Sequence, residues 1–276
     1  MMILRILLVA ILMASISTPA MAELIGYWQF EGDLTSEVGG TALTATVGDG
    51  TPDPGTSGGQ VGDCIYFYDT DNEYIVLPVG FGTNSGTGAS LGNTFSISAW
   101  YNLQPAASND SERFFVYEGS SDYDLSYGVR DWDGDGSVDD GQSYLHEAVS
   151  THQEYINAAT HNTWHHVLAT YESDGTDTTV TYWIDGTKQT PSLVGTTSLI
   201  GSPSIHVGDC RGGSDRDWDG LIDEVAVWNH KLSDQEASSV YTTGLYGQSI
   251  PEPSTLTMLA LAGIFGLGIA SKRRRA

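Results

Sequence analysis

Basic residues are scarce in this chain of 276 residues. Only 11 residues are Lys or Arg, against 35 Asp or Glu, and five of those bases lie in the two terminal segments described below. Without these bases and one acid of the C-terminal segment, 6 bases face 34 acids, a net charge near −28. A field of this sign repels nucleic acid and anionic lipid, and favours cations and neutral or basic partners. The 40% hydrophobic content indicates a packed core rather than acidic disorder.

Long hydrophobic runs are absent from the middle of the chain and occur only at its ends. Residues 1–22 carry one early cation, Arg5, then an apolar run over residues 6–13 and a small-x-small cleavage site that ends at Ala22. The run is too short to cross a bilayer, and polar, glycine-rich sequence follows it at once. The sequence therefore predicts a cleaved signal peptide over residues 1–22 and export of the remainder.

The C-terminal end has three parts in a fixed order. Pro251, Glu252 and Pro253 precede an apolar stretch over residues 256–270, and a basic run over residues 272–275 follows. Taken alone, the stretch predicts a short transmembrane segment whose basic flank stays in the cytoplasm. Together the parts of residues 249–276 resemble the PEP-CTERM sorting signal of Gram-negative bacteria. The resemblance implies transient residence in the inner membrane and removal of the tail by an exosortase-type membrane protease; the alternative is a plain single-span anchor.

Cysteine is nearly absent as well. Cys64 and Cys210 are the two cysteines, and both close a Val-Gly-Asp-Cys tetrapeptide. Export brings them into an oxidising compartment, where a disulfide between them is the prediction and two free thiols are the alternative.

Helical periodicity is confined to one short segment. Residues 232–241 have a capping box, Ser233 with Glu236, and a weak apolar face. Elsewhere, short runs rich in Val, Ile, Thr, Tyr and Trp alternate with turn residues, and Asp185-Gly186 is a hairpin signal. Residues 48–62, dense in Gly, Pro, Thr and Asp, are expected to form a surface loop. The pattern predicts an all-β, antiparallel two-sheet sandwich or jelly roll.

Several blocks of the exported part resemble one family. They are Leu24-Ile25-Gly26-Tyr27-Trp28-Gln29-Phe30-Glu31-Gly32, Phe95-Ser96-Ile97-Ser98-Ala99-Trp100, Asn162 to Tyr171, Thr181 to Gly186, and Asp219 to Trp228. In this order they are similar to the strands of laminin-G-like, concanavalin A-type lectin/glucanase jelly rolls. The resemblance implies one such domain over residues 23–248.

Most aromatic and histidine side chains of these blocks are expected to be structural. We predict that Trp100, Trp164, Trp183 and Trp228 fill the core between the sheets. His165 and His166 point to opposite faces of one strand, so one should be buried and hydrogen-bonded and the other solvated.

A calcium loop is the sharpest local pattern. Asp131, Asp133, Asp135, Ser137 and Asp139 place oxygen donors at alternate positions, with Gly136 at the sixth position of the loop. Gln142 stands where an EF-hand has a bidentate Glu, and the flanks look like strands rather than helices. A weak calcium site is the prediction, with Asp140 or Glu147 available to close the shell; a solvated acidic turn is the alternative.

A second acidic segment contains Asp209 and Asp217. In pentraxin-like relatives the corresponding loop helps to bind calcium, so the resemblance implies a ligand site here. Trp132 and Trp218 each stand between aspartates, where an indole could stack on a sugar ring; packing of each Trp beneath its own loop is the alternative.

Catalytic motifs are missing. Glucanases of this fold present paired carboxylates as Glu-x-Asp-x-Glu or a close variant, but the Glu-x-Asp at Glu31 and Asp33 has no second Glu at the required spacing. We therefore expect a non-enzymatic module at the cell surface or in the extracellular matrix, binding glycans with the help of calcium. The alternatives are a structural or adhesive matrix protein and, less favoured, a glycoside hydrolase.

Overall fold

The computed structural model describes residues 24–38, 40–68, 73–81, 89–104, 112–117, 125–130, 140–145, 157–158, 160–174, 176, 178–190, 193–195, 205–208 and 218–245. In chain order the elements are β1 Leu24–Trp28, β2 Thr35–Ser36, β3 Gly40–Thr44, β4 Thr46–Asp49, β5 Asp53–Ser57, β6 Asp63–Phe67, β7 Tyr74–Leu77, β8 Val79–Phe81, β9 Ala89–Leu91, β10 Thr94–Leu103, β11 Glu112–Tyr117, β12 Leu125–Arg130, β13 Asp140–Leu145, β14 Asn157–Ala158, β15 Trp164–Ser173, β16 Thr178–Ile184, β17 Thr187–Lys188, β18 Leu193–Gly195, β19 Ile205–Val207, β20 Gly220–Trp228 and helix α1 Asp234–Leu245.

Two antiparallel sheets make up the fold, as the alternating pattern predicts. The larger sheet has nine strands in the order β17-β16-β15-β10-β20-β6-β5, with β1 also paired to β20 and β18 to β16. The second sheet has seven strands in the order β14-β13-β12-β11-β19-β7-β4. Strands far apart in the chain are neighbours, and the first and last strands pair with each other, with Trp28 opposite Val225.

The main core lies between the two sheets. On β10, Phe95, Ile97, Ala99 and Tyr101 are buried in one cluster, as the strict alternation of this segment predicts. Residues 65, 67, 167, 169, 222, 225 and 227 of the neighbouring strands contribute to the same cluster.

A second apolar cluster lies on the outer face of the larger sheet, beneath α1. Leu168, Trp183, Ala226 and Trp228 of the sheet pack with Leu232, Ala237 and Val240. The predicted capping box is confirmed, since the Ser233 backbone N–H donates to Glu236 Oε2 at 2.8 Å and the Glu236 N–H donates back to Ser233 Oγ at 3.3 Å. The helix is therefore a fixed part of the domain.

Local turn chemistry explains the hairpin between β16 and β17. Asp185 and Gly186 both have positive φ, 49° and 73°, as a two-residue hairpin turn of this type requires. Ile184 pairs with Thr187 across the turn, so the predicted hairpin is confirmed.

The expectation of a surface loop over residues 48–62 is wrong in part. Residues of this segment form the end of β4 and all of β5, which pairs with β6 at the edge of the larger sheet. An edge strand needs hydrogen bonds on one side alone, so Pro54 and Gly55 are tolerated there. Among the described residues no helix is both long and apolar enough to cross a membrane, and the predicted transmembrane stretch lies outside them.

Candidate functional site: a polar–aromatic patch on the larger sheet

The predicted calcium loop joins two paired strands. Residues 131–139, with Asp131, Asp133, Asp135, Ser137 and Asp139, lie outside the described residues. Arg130 of β12 pairs with Asp140 of β13, so the flanks are antiparallel strands, as expected from the sequence. Among the described residues no group of three or more His, Cys, Asp or Glu side chains could hold a metal ion. Calcium binding by residues 131–139 therefore stays a prediction.

The second acidic segment starts and ends at neighbouring points. Asp209, Cys210 and Asp217 lie outside the described part, but the Trp218 N–H donates to the Gly208 carbonyl at 2.7 Å and closes the base of this segment. Asp219, directly after Trp218, is described and almost fully buried.

The structure contradicts the prediction that Trp218 stacks on a sugar. Its side chain has no exposed surface and belongs to the core between the sheets. The ring meets Tyr101 edge to face, with the centroids 5.6 Å apart. Trp218 directly precedes β20 and continues its alternation of inward and outward side chains. Because Ile222 of that strand faces the core, Trp218 faces the core as well. Trp132 lies outside the described residues.

The other tryptophans also differ from expectation. Trp100, Trp183 and Trp228 are buried as predicted, but Trp183 and Trp228 lie beneath α1 rather than between the sheets. Trp100 stacks on Tyr241 of α1, with the ring centroids 5.7 Å apart. Trp164 is half-buried and lies on the same outer face, beyond the helix. The even-numbered side of β15 faces outward, since Val167 and Ala169 face the core.

Cys64 is a free, fully buried thiol in the described part of the chain, so the structure does not contain the predicted disulfide to Cys210. Burial first, and then the nearby Asp223 carboxyl, raise the pKa of the Cys64 thiol to about 12. The thiol donates to the Thr56 carbonyl at 3.2 Å, which satisfies its weak donor inside the sheet.

A row of side chains crosses the outer face of the larger sheet beyond the helix. Tyr66 of β6 pairs with Leu221 of β20, Leu221 with Asn102 of β10, and Asn102 with Trp164 of β15. Each of these residues alternates with core residues of its own strand, so all four face outward. Tyr68 directly follows β6 and Asp219 directly precedes β20, and both lie on the same face. These two residues and the four of the row define the polar–aromatic patch.

Internal hydrogen bonds hold the patch in place. The Tyr66 hydroxyl donates to Asp219 Oδ1 at 3.1 Å, and the Gln104 side-chain amide donates to Asn102 Oδ1 at 3.3 Å. Burial and the Asp219 carboxylate raise the pKa of Tyr66 above its ordinary range, so this hydroxyl stays a donor. Gly220 lets the strands meet here, because a Cβ would lie 2.3 Å from the Asn102 carbonyl oxygen.

Aromatic rings mark both flanks of the patch. The Tyr66 and Tyr68 ring centroids lie 4.3 Å apart, and Tyr68 is 48% exposed, one of two exposed large hydrophobic residues in the described part of the chain. At the other flank Trp164 donates its indole N–H to the Gly58 carbonyl at 3.3 Å. The glycine-rich turn between β5 and β6 therefore reaches over the sheet and holds the Trp164 ring.

A buried acidic pair lies next to the patch. Asp223 and Glu224 are both fully buried, at a bulge in β20. Asp223 accepts the Val61 N–H at 3.0 Å and the Glu224 N–H at 2.7 Å, while Glu224 accepts the Tyr27 hydroxyl and, at 3.1 Å, the Gln29 amide. Burial raises the pKa of Asp223 to about 8, the charge of Glu224 adds to this, and the backbone amides oppose it. Asp223 therefore fixes the β5–β6 turn that holds Trp164, through its bond to Val61.

Of the two histidines of β15, one is buried and the other partly exposed, as predicted, but the hydrogen bonds are made by the partly exposed one. His166 is fully buried, but the described residues give its ring nitrogens no hydrogen-bond partner; it packs between Trp100 and Tyr241, and burial lowers its pKa to about 3. His165 is partly exposed and hydrogen-bonded, with Nδ1 2.8 Å from Asp185 Oδ2 and Nε2 3.0 Å from Thr160 Oγ1. The Thr160 N–H also donates to Nε2, so this chain of bonds locks a loop to the β16–β17 turn.

Sequence reasoning missed most of the patch. Tyr66 and Tyr68 alternate with Ile65 and Phe67, and this alternation was the available signal for an outward aromatic pair. Nothing local to Asn102 or Leu221 links them to Tyr66, because the pairing register alone brings these strands together.

The arrangement of two antiparallel sheets with paired terminal strands is that of a concanavalin A-like sandwich. The profile of the laminin G type within the concanavalin A-like lectin/glucanases superfamily matches residues 72–238, and the chain belongs to this superfamily. The PEP-CTERM protein-sorting motif matches residues 249–275, which include Pro251, Glu252 and Pro253 outside the described part. This motif implies export, sorting to the cell surface and processing by an exosortase.

Solved structures share the fold at low identity. Domain 4 of AbnA, an extracellular arabinanase of Geobacillus stearothermophilus in complex with arabinotriose, is 18% identical, with a TM-score of 0.56, covering 79% of this chain and 98% of that one. Trypanosoma rangeli sialidase is 14% identical, with a TM-score of 0.61, and the match covers 82% of this chain but 34% of the sialidase. The receptor binding domain of botulinum neurotoxin D is 13% identical, with a TM-score of 0.56, covering 80% of this chain and 52% of that domain. A search of curated proteins found no match.

Proposed function

We propose that the mature protein is a non-enzymatic module that binds an extracellular glycan through the polar–aromatic patch. The observation that carries the proposal is the combination of an exposed tyrosine, Tyr68, packed on the half-buried Tyr66, and a second half-buried aromatic flank at Trp164 on the same sheet face. Between them the half-buried Gln104 donates to the nearly buried Asn102. Aromatic rings stack on the apolar face of a sugar, and a few fixed polar groups orient its hydroxyls.

Two further observations support a glycan as the ligand. The net charge of −24 for the whole chain disfavours nucleic acid and other polyanions. The arabinanase domain that shares this fold over nearly its full length was crystallised with arabinotriose. The fold by itself carries many activities, so the patch and not the fold is the basis of the proposal.

Calcium enters the proposal as a separate site. The loop over residues 131–139 joins strands of the seven-stranded sheet, whereas the patch lies on the larger sheet. We therefore propose that calcium binds at Asp131, Asp133, Asp135, Ser137 and Asp139, away from the patch. The seven-stranded sheet that carries this hairpin would support the calcium loop.

Location completes the proposal. After exosortase processing the domain resides at the outer surface or in the extracellular matrix of a Gram-negative bacterium, where many copies would bind a polysaccharide multivalently. A structural or adhesive matrix role without a small ligand is the competing function.

A glycan array with the purified mature protein, run with calcium and with a chelator, tests the proposal. Binding to a defined set of glycans is expected in both conditions. Absence of binding to every glycan on the array would favour the matrix role. Release of reducing sugar by the pure protein, abolished by one Asp or Glu substitution, would overturn its non-enzymatic character.

A further inference from the structure

We infer that the patch binds an uncharged oligosaccharide that lies across the strands, in contact with two separate aromatic subsites. This inference rests on the proposed function and adds the ligand's length, charge and direction. A single sugar would reach one flank alone.

The pairing register sets the length of the site. Tyr66 and Trp164 are joined through Leu221 and Asn102, so three strand spacings separate the two flanks. Neighbouring strands are about 4.8 Å apart, which places the flanks about 14 Å from each other. This span exceeds a monosaccharide and fits a short oligosaccharide whose chain runs perpendicular to the strands.

Both flanks are held before any ligand arrives. The Tyr66 ring is fixed by the bond of its hydroxyl to Asp219 and packs against Tyr68. The Trp164 ring is fixed by the bond of its indole N–H to Gly58. Fixed rings lose little conformational entropy on binding, so each flank contributes to affinity as a separate subsite.

Charge selects against acidic sugars. Asp219 lies between the flanks and accepts the Tyr66 hydroxyl, and Asp53 pairs with Tyr66 on the next strand. The described patch residues carry no cation that could offset a ligand carboxylate or sulfate. Gln104, half-buried and held by its bond to the buried Asn102, offers a neutral amide group to sugar hydroxyls.

The test measures binding of the full mature protein to arabino-, xylo- and cello-oligosaccharides of increasing length, with oligogalacturonates as the acidic set. For at least one neutral series, affinity should rise steeply from the monosaccharide to the trisaccharide and then level off. Oligogalacturonates should not bind, and raising the ionic strength should leave neutral binding unchanged.

Variants assign the subsites. Tyr68→Ala and Trp164→Ala should each weaken trisaccharide binding by roughly five- to tenfold, about 1.0–1.4 kcal/mol. Trp164→Phe keeps a ring and should retain more affinity than Trp164→Ala. The matched control is Val47→Ala, because Val47 is equally exposed, at 47%, but lies on the other sheet and should bind as the unsubstituted protein does.

Each outcome is decisive. Equal affinity for monosaccharide and trisaccharide, or preference for oligogalacturonates, overturns the inference while glycan binding itself stands. Neutral glycan binding that survives both alanine substitutions moves the site elsewhere and also overturns it. No binding to any of these series overturns the inference, and no binding on the glycan array as well removes the proposed function.

Discussion

Trp218→Ala should lower the free energy of unfolding by about 3–5 kcal/mol, the usual cost of removing a buried Trp. The side chain has no exposed surface, and its edge-to-face contact with Tyr101 places it in the core between the sheets. Such a contact adds about 0.5–1.5 kcal/mol beyond burial, which favours the upper part of that range. Since domains of this kind are stable by about 5–15 kcal/mol, the loss should be a large part of the total.

The assay is urea unfolding followed by far-ultraviolet circular dichroism, which does not depend on the fluorescence of the substituted residue. Trp218→Phe keeps an apolar ring and should cost less than Trp218→Ala. Val47→Ala is the surface control and should stay within about 0.5 kcal/mol of the unsubstituted protein. A loss below about 1 kcal/mol for Trp218→Ala, with an unchanged m-value, would show that the ring is exposed and available to a sugar after all.

The remaining predictions concern the acidic pair, the calcium loop and the tail. The pKa of Asp223 is raised to about 8 in the folded protein, whereas the pKa of an Asp in the unfolded chain is near 4. The stabilisation from this carboxyl is therefore complete below about pH 4 and is lost as the pH rises to 8, at up to about 1.4 kcal/mol per pH unit. Asp223→Asn should flatten this slope in urea unfolding measured across that range; an unchanged slope would assign the titration to another group. Calcium should raise the melting temperature in a concentration-dependent way, and Asp133→Ala with Asp135→Ala should abolish the rise; a persistent rise would move the site to the loop with Asp209 and Asp217. Surface-extracted protein from the native host should have an intact mass that lacks everything from about Leu256 onward, and recovery of Ala276 would contradict processing.

Local sequence determined the elements whose physics is local. The strict alternation from Phe95 to Ala99 produces one buried strand face whatever the neighbours are. The Asp185-Gly186 hairpin and the Ser233–Glu236 capping box depend on residues within a few positions of each other, and both form as predicted. The PEP-CTERM tail is similarly a linear signal, so its order of motif, apolar stretch and basic end could be recognised without a fold.

Tertiary structure decided which face of each strand is inside and which residues meet. Trp218 and Trp164 both have polar neighbours in the sequence, yet one is fully buried and the other lines the outer face, because packing against α1 and the second sheet assigns the faces. Tyr66, Asn102, Trp164 and Leu221 are far apart in the chain, and only the strand pairing places them in one row. Alternation specifies a period of two but not its phase or its partner, and a shift of one residue would turn the whole row into the core.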